Sequence, residues 1–152
     1  MHQNCFSHKA IIRLIKLVHA LENTAEKNIF TPHNLTMSTG KILMILSRIN
    51  KATPSELIKA TDCSKSNLSQ RLITLKKAGL IIHEKPQPDS DQRHNFITLT
   101  EKGRNQAHAL LKIFEWKIAE FENSIPQKDW EHIINILEII NKKIESSSRI
   151  TK

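Results

Sequence analysis

A chain of 152 residues that is 39% hydrophobic and 25% charged has room for one compact domain, and can bury a core without disulfides or metal. Its formal net charge of +8 and pI near 9.7 favour a polyanionic partner, either nucleic acid or an anionic membrane face. No run of about 18 apolar residues occurs, which excludes a membrane-spanning helix. Lys9, Arg13 and Lys16 break up the N-terminal apolar stretch, unlike a signal peptide, and two cysteines in unrelated contexts, Cys5 and Cys63, fit reduced thiols in a cytoplasm.

In chain order, Ile11, Leu14, Val18 and Leu21 recur at spacings of three and four and predict a first helix over residues 8–26. Pro32 separates it from a second, which starts with Thr36 as N-cap. The "KILMIL" run makes that helix apolar nearly all round, so it is expected at the centre of the core. "TPSE" then supplies an N-cap in Thr53, a first-turn Pro54 and a Glu56 able to reach back, a complete capping box. This third helix ends near Asp62. Ser64 caps a fourth, "KSNLSQRLITLKKAG", which stops at Gly79, where a left-handed residue is needed. Two short helices joined by a tight turn outline a helix-turn-helix.

The period then changes. "LIIHE" and "NFITL" are short, β-branched and aromatic, and flank a polar tongue, which predicts a two-stranded hairpin. Thr100 caps a long fifth helix carrying Ala107, Leu111, Phe114, Ile118, Phe121 and Ile125. After Pro126 a sixth carries Trp130, Ile133, Leu137, Ile140 and Ile144. Both stripes have the heptad-like spacing of helices that pack side by side, and such seams need a partner. Gly40 and Gly103 fall near helix starts, where glycine is tolerated at modest cost. The expected architecture is mostly α with a small β-hairpin wing: a helix over 1–35, a winged helix-turn-helix lobe over 36–100, and a helix pair over 101–152.

On the fourth helix Leu68, Leu72 and Leu75 form one narrow stripe that must face the core. About 100° per residue then places Ser66, Asn67, Gln70, Thr74 and Lys77 on the far side, with Lys65, Arg71 and Lys76 at its flanks. No carboxylate occurs between Lys65 and Leu80. Hydrogen-bonding groups edged with cations suit a major groove, where Asn and Gln pair with adenine edges, Arg with guanine, and lysines with phosphates. In the tongue, Asp91 stands two residues before Arg93 and can aim its guanidinium into a minor groove. Taken alone, each feature is also an ordinary solvated surface. It is their succession that favours double-stranded DNA.

Leu35-Thr36 before an apolar helix, "TPSELIKATDCSKSNLSQRLITLKKAGLI" and "DSDQRHNFITLTEKG" together resemble the MarR family of bacterial transcription regulators. The most specific pieces are the L-x-x-x-G-L-I ending (Leu75, Gly79, Leu80, Ile81) and the D-x-R…L-T-x-x-G wing (Asp91, Arg93, Leu99, Thr100, Gly103). The resemblance implies an obligate homodimer whose first, fifth and sixth helices interlock, so that 1–35 and 101–152 become dimerisation elements. It also implies a fourth helix in each major groove, wing arginines in adjacent minor grooves and a pseudo-palindromic operator. The expected role is repression by occluding a promoter, with release by a small-molecule effector left open. The chain departs from familiar members in having no Tyr, a single Arg near the wing tip, and Asn95 where a small hydroxyl residue is frequent.

Other signals point less far. Cys5 beside Phe6 resembles the peroxide-sensing branch of the family, which also uses tyrosines that this chain lacks. Among eight histidines, His19, His33, His108 and His132 fall where a zinc-sensing branch binds metal, yet no His pair stands at i, i+4 and no C-x-x-C occurs, so no metal or cofactor is expected. Phe114, Trp116, Phe121 and Trp130 could line an effector pocket or simply be core and seam. No glycine-rich phosphate loop, nucleophile elbow or paired-carboxylate spacing supports an enzyme. The competing class is a basic winged-helix module that binds DNA non-specifically or binds a protein. RNA binding is weaker, for want of an aromatic stacking platform.

Overall fold

The computed structural model describes residues 4–84 and 95–148. Among these residues six α-helices and three strands follow in the order α1 (Asn4–Ala25), α2 (Met37–Ile49), β1 (Lys51–Ala52), α3 (Pro54–Thr61), α4 (Lys65–Lys77), β2 (Ile81–Glu84), β3 (Phe96–Leu99), α5 (Glu101–Glu122) and α6 (Gln127–Ser148). The chain divides into two compact units, Met1–Phe114 and Glu115–Lys152, and the division falls within α5.

Local chemistry starts and stops the helices of the first unit. Thr36 caps α2 together with Thr39 in a reciprocal capping box, and the Met37 N–H donates to Glu26 Oε2 at 2.6 Å. Glu26 opens a π-helical turn, Glu26–Phe30, followed by a 3-10 turn over Thr31–His33. The first helix therefore begins earlier than its apolar spacing suggested and gives way at Ala25 to a wider turn, which buries Ile29 and Phe30. Gly79 takes φ +69°, but three further stops use Asn34, Asn50 and Asp62 with φ of 55°, 65° and 48°. Asn and Asp visit this region more readily than other side-chain-bearing residues, so the third helix stops at Asp62 as expected, while the stops at Asn34 and Asn50 have no glycine to mark them.

The core of this unit joins α2, α3, α4, the sheet and the start of α5. Ile42, Leu43, Leu46, Leu57, Leu75, Ile97 and Leu110 are wholly inaccessible. As expected, α2 is the central helix. On α5 the buried side is Gly103, Ala107 and Leu110, with Leu111 and Phe114 half-buried, while Ile125 lies beyond the end of the helix.

The hairpin is part of a three-stranded antiparallel sheet in the order β1-β3-β2. β2 pairs with β3 in the register Ile81↔Leu99 and His83↔Ile97, and the two-residue β1 adds Lys51↔Thr98 and Ala52↔Ile97. Two residues are too short to show alternation, so β1 is invisible to periodicity.

In the second unit, the Trp130 Nε1–H donates to the Glu122 carbonyl at 3.2 Å and its ring meets Phe121 at 6.2 Å, tilted by 52°. α6 leaves Ile133, Ile134, Ile136, Leu137, Ile139, Ile140 and Ile144 exposed on the single chain. In the first unit, α1 likewise exposes Ile11, Ile12, Ile15, Leu17, Val18 and Leu21.

Candidate nucleic-acid interface

α3 is set by its cap. The Thr53 N–H donates to Glu56 Oε2 at 2.7 Å, and the Glu56 N–H to Thr53 Oγ1 at 3.3 Å. After the left-handed Asp62, Cys63 is half-buried and accepts from the Thr61 hydroxyl at 3.1 Å. Ser64 then turns the chain into α4, accepting from the Asn67 N–H at 3.2 Å. This is the tight turn of a helix-turn-helix.

α4 buries Leu68, Leu72 and Leu75 and turns the opposite surface outward. Lys65, Ser66, Asn67, Gln70, Thr74 and Lys77 are exposed there and Arg71 is half-buried at the flank, so the structure brings these seven sequence candidates onto one helix surface. Among the described residues, none of Lys65, Arg71, Lys76 and Lys77 is in an ion pair. The Thr74 hydroxyl donates to the Gln70 carbonyl at 3.1 Å, and the Ser66 hydroxyl lies 3.2 Å from that of Ser64. The Asn67 and Gln70 side-chain amides, by contrast, have no hydrogen-bond partner among the described residues. Each keeps a donor and an acceptor available, the pair that a bidentate contact to an adenine edge uses.

The far end of α4 is tied down by an interlock of the two segments that looked most specific in the sequence. The Gly79 N–H donates to the Lys76 carbonyl at 2.9 Å and the Leu80 N–H to the Leu75 carbonyl at 3.0 Å, which is a Schellman motif. The Thr100 N–H donates to the Leu80 carbonyl at 3.1 Å, and its hydroxyl donates to the Gly79 carbonyl at 2.7 Å while accepting from the Gly103 N–H at 3.0 Å. Lys102 Nζ donates to the Ala78 carbonyl at 2.9 Å, placing a cation at the negative end of the α4 dipole. Gly103 lies so close to Leu80 that a Cβ there would collide with the Leu80 carbonyl oxygen and come within 2.9 Å of its carbon. Far from being merely tolerated, glycine at 103 is demanded by this approach. Gly40 likewise lies against the Phe30 ring. The joint holds α4, the strands of the wing and the start of α5 in one fixed relation.

Asp91 and Arg93 lie outside the described residues, as does the side chain of Cys5. The strands leading to and from the wing are in place, and Lys51 Nζ stands 4.7 Å from the centroid of Phe96 on β3. Among the described residues no group of three or more His, Cys, Asp or Glu side chains is placed to hold a metal ion. Of the four aromatics considered for a pocket, Phe114 packs on the core of the first unit. Within the second unit, Phe121 and Trp130 pair, and Trp116 is exposed with Lys117 Nζ 4.3 Å from its centroid. Sequence reasoning passed over two residues of the outer α4 surface, Ser69 and Ile73, both exposed. Helical arithmetic could have found Ile73, an aliphatic outside the leucine stripe.

The profile of the winged helix DNA-binding domain family matches residues 40–117, the stretch from the second turn of α2 to beyond the interlock. The chain is a winged-helix DNA-binding protein. Over 136 residues it is 29% identical to the HTH-type transcriptional regulator TcaR of Staphylococcus aureus (strain Newman), covering 90% of this chain and 89% of that one. Its fold is similar to that of AbsC, a MarR family transcriptional regulator from Streptomyces coelicolor, with a TM-score of 0.81, 24% identity, and coverage of 96% and 99% of the two chains. It is also similar to S. aureus MepR in a complex with DNA, with a TM-score of 0.74, 20% identity, and coverage of 91% and 99%. The chain belongs to the winged helix DNA-binding domain family, and its fold is that of the MarR family regulators it is similar to.

Proposed function

We propose that the protein is a sequence-specific repressor that binds a pseudo-palindromic operator as a homodimer. The observation that carries this reading is the outer surface of α4, a carboxylate-free face whose two amides and cations have no partner among the described residues, on a helix anchored at both ends. Each subunit lays α4 in a major groove, where Asn67, Gln70 and Arg71 contact base edges with Ser66 and Thr74 beside them. Lys65 and Lys77 contact phosphates, and Arg93, aimed by Asp91, enters the adjacent minor groove. The similarity to MepR, whose structure holds DNA, supports this docking.

The dimer part of the reading rests on the exposed aliphatic faces of α1 and α6. A run of uncovered aliphatic residues along one helix marks an interaction site. Residues 1–35 and 101–152 would thus be dimerisation elements around a 36–100 DNA-binding lobe, and half-sites would lie about one helical turn apart. A small-molecule effector would act by favouring a dimer conformation with a different spacing of the two α4 helices.

Selection of bound sequences from a random duplex pool, followed by titration of the selected and random duplexes at several salt concentrations, tests the proposal. The selected duplex is expected to bind more tightly at every salt, with both affinities falling as salt rises. Equal affinity for both duplexes would reduce the protein to a non-specific basic module. Gln70→Ala is expected to relax base preference by about 1–3 kcal/mol at one position per half-site.

A further inference from the structure

Three of the four aliphatic residues of α4 are buried, but Ile73 is 48% exposed. Its surroundings set it apart from the exposed aliphatics of α1 and α6. Ser69 and Gln70 precede it by four and three residues, and Lys76 and Lys77 follow by three and four, all of them exposed. These spacings make them its immediate neighbours on the helix surface. Ile73 is therefore one apolar group set within a polar and cationic face, not part of a seam. A β-branched residue there gains nothing from helix propensity or from the core.

We infer that Ile73 is a specificity-determining residue that packs against the C5-methyl group of a thymine in the operator. This rests on the proposed docking of α4 in the major groove. That groove displays one apolar group, the thymine methyl, and an aliphatic side chain is the partner that recognises it. Gln70, one turn away, can read the edge of an adenine, so the two side chains together select A·T steps: the amide through hydrogen bonds, the isoleucine through burial of the methyl. The polar residues one turn before and after it on α4 keep the apolar contact local, so it discriminates at one base pair and not along a stretch.

The test uses the full-length protein and the duplex selected above, with each thymine replaced in turn by deoxyuridine, which lacks only the methyl. At one thymine per half-site the replacement is expected to weaken wild-type binding about fourfold, the effect of burying one carbon. Ile73→Ala should bind the thymine and deoxyuridine duplexes alike, and Ile73→Val should keep most of the discrimination. Circular dichroism should show both variants folded, because Ile73 lies outside the core. The inference is overturned if no deoxyuridine position distinguishes wild type from Ile73→Ala. If a preferred duplex exists and Gln70→Ala relaxes it while no methyl depends on residue 73, this inference alone fails. If selection yields no preferred duplex, the operator reading fails and takes this one with it.

Discussion

Leu46 on α2 and Leu137 on α6 are both leucines in helices rich in aliphatic residues, yet the first is wholly inaccessible and the second is 46% exposed. The same contrast separates their regions. The helix-turn-helix lobe closes its own core from α2, α3, α4, the sheet and the start of α5, whereas α1 and α6 leave most of their aliphatic residues uncovered on the single chain. A stripe of apolar residues states that a helix will be covered but does not name what covers it. In the lobe the cover is the rest of the chain. For α1 and α6 the proposed cover is a second copy.

Substitutions that separate self-association from folding probe this contrast most directly. Leu137→Asp combined with Ile140→Asp removes two side chains whose burial is worth about 1.5–3 kcal/mol each, so it should weaken self-association by about a hundredfold or more. Sedimentation velocity over a range of concentrations reads this directly, and an unchanged mass would place the subunit seam elsewhere. In the lobe, Leu46→Ala should cost about 2–5 kcal/mol of stability in urea unfolding while the folded fraction keeps its assembled mass. If it shifts self-association as strongly as the α6 variant, the two regions are not separable.

Smaller changes sharpen the view of the joint that orients α4. Gly103→Ala forces a methyl onto the Leu80 carbonyl and should cost about 1–3 kcal/mol, with selected-duplex binding falling more than random-duplex binding. Equal losses on both would deny the joint any part in aiming α4. Thr100→Ala removes a helix cap and a hydrogen bond to Gly79 and should cost about 1 kcal/mol in the same unfolding measurement, with Thr100→Ser restoring most of it.

Much of this architecture was legible because it is local. The caps at Thr36, Thr53, Ser64 and Thr100, the stop at Gly79 and the leucine stripe of α4 all stand where the residues placed them. Each depends on atoms within about one helical turn. The outer α4 candidates were readable for the same reason, since a fixed angle per residue puts Gln70 opposite Leu72. Ile73 was missed because an isoleucine in a helix is ordinarily assigned to the core. β1 was missed because strand pairing with β3 joins residues more than forty positions apart and leaves no pattern in a two-residue segment.

By itself, then, the sequence determined where each helix from α2 onward begins and which face of α4 is polar, because capping, left-handed stops and helical periodicity act between near neighbours. Only the tertiary structure decided that Gly103 must be glycine, that Glu26 caps a helix eleven residues on, and that the Gly79–Leu80 corner locks onto Thr100. Those contacts depend on backbones brought together across distant parts of the chain. No spacing rule encodes a carbonyl oxygen arriving against a Cα from twenty-three residues away.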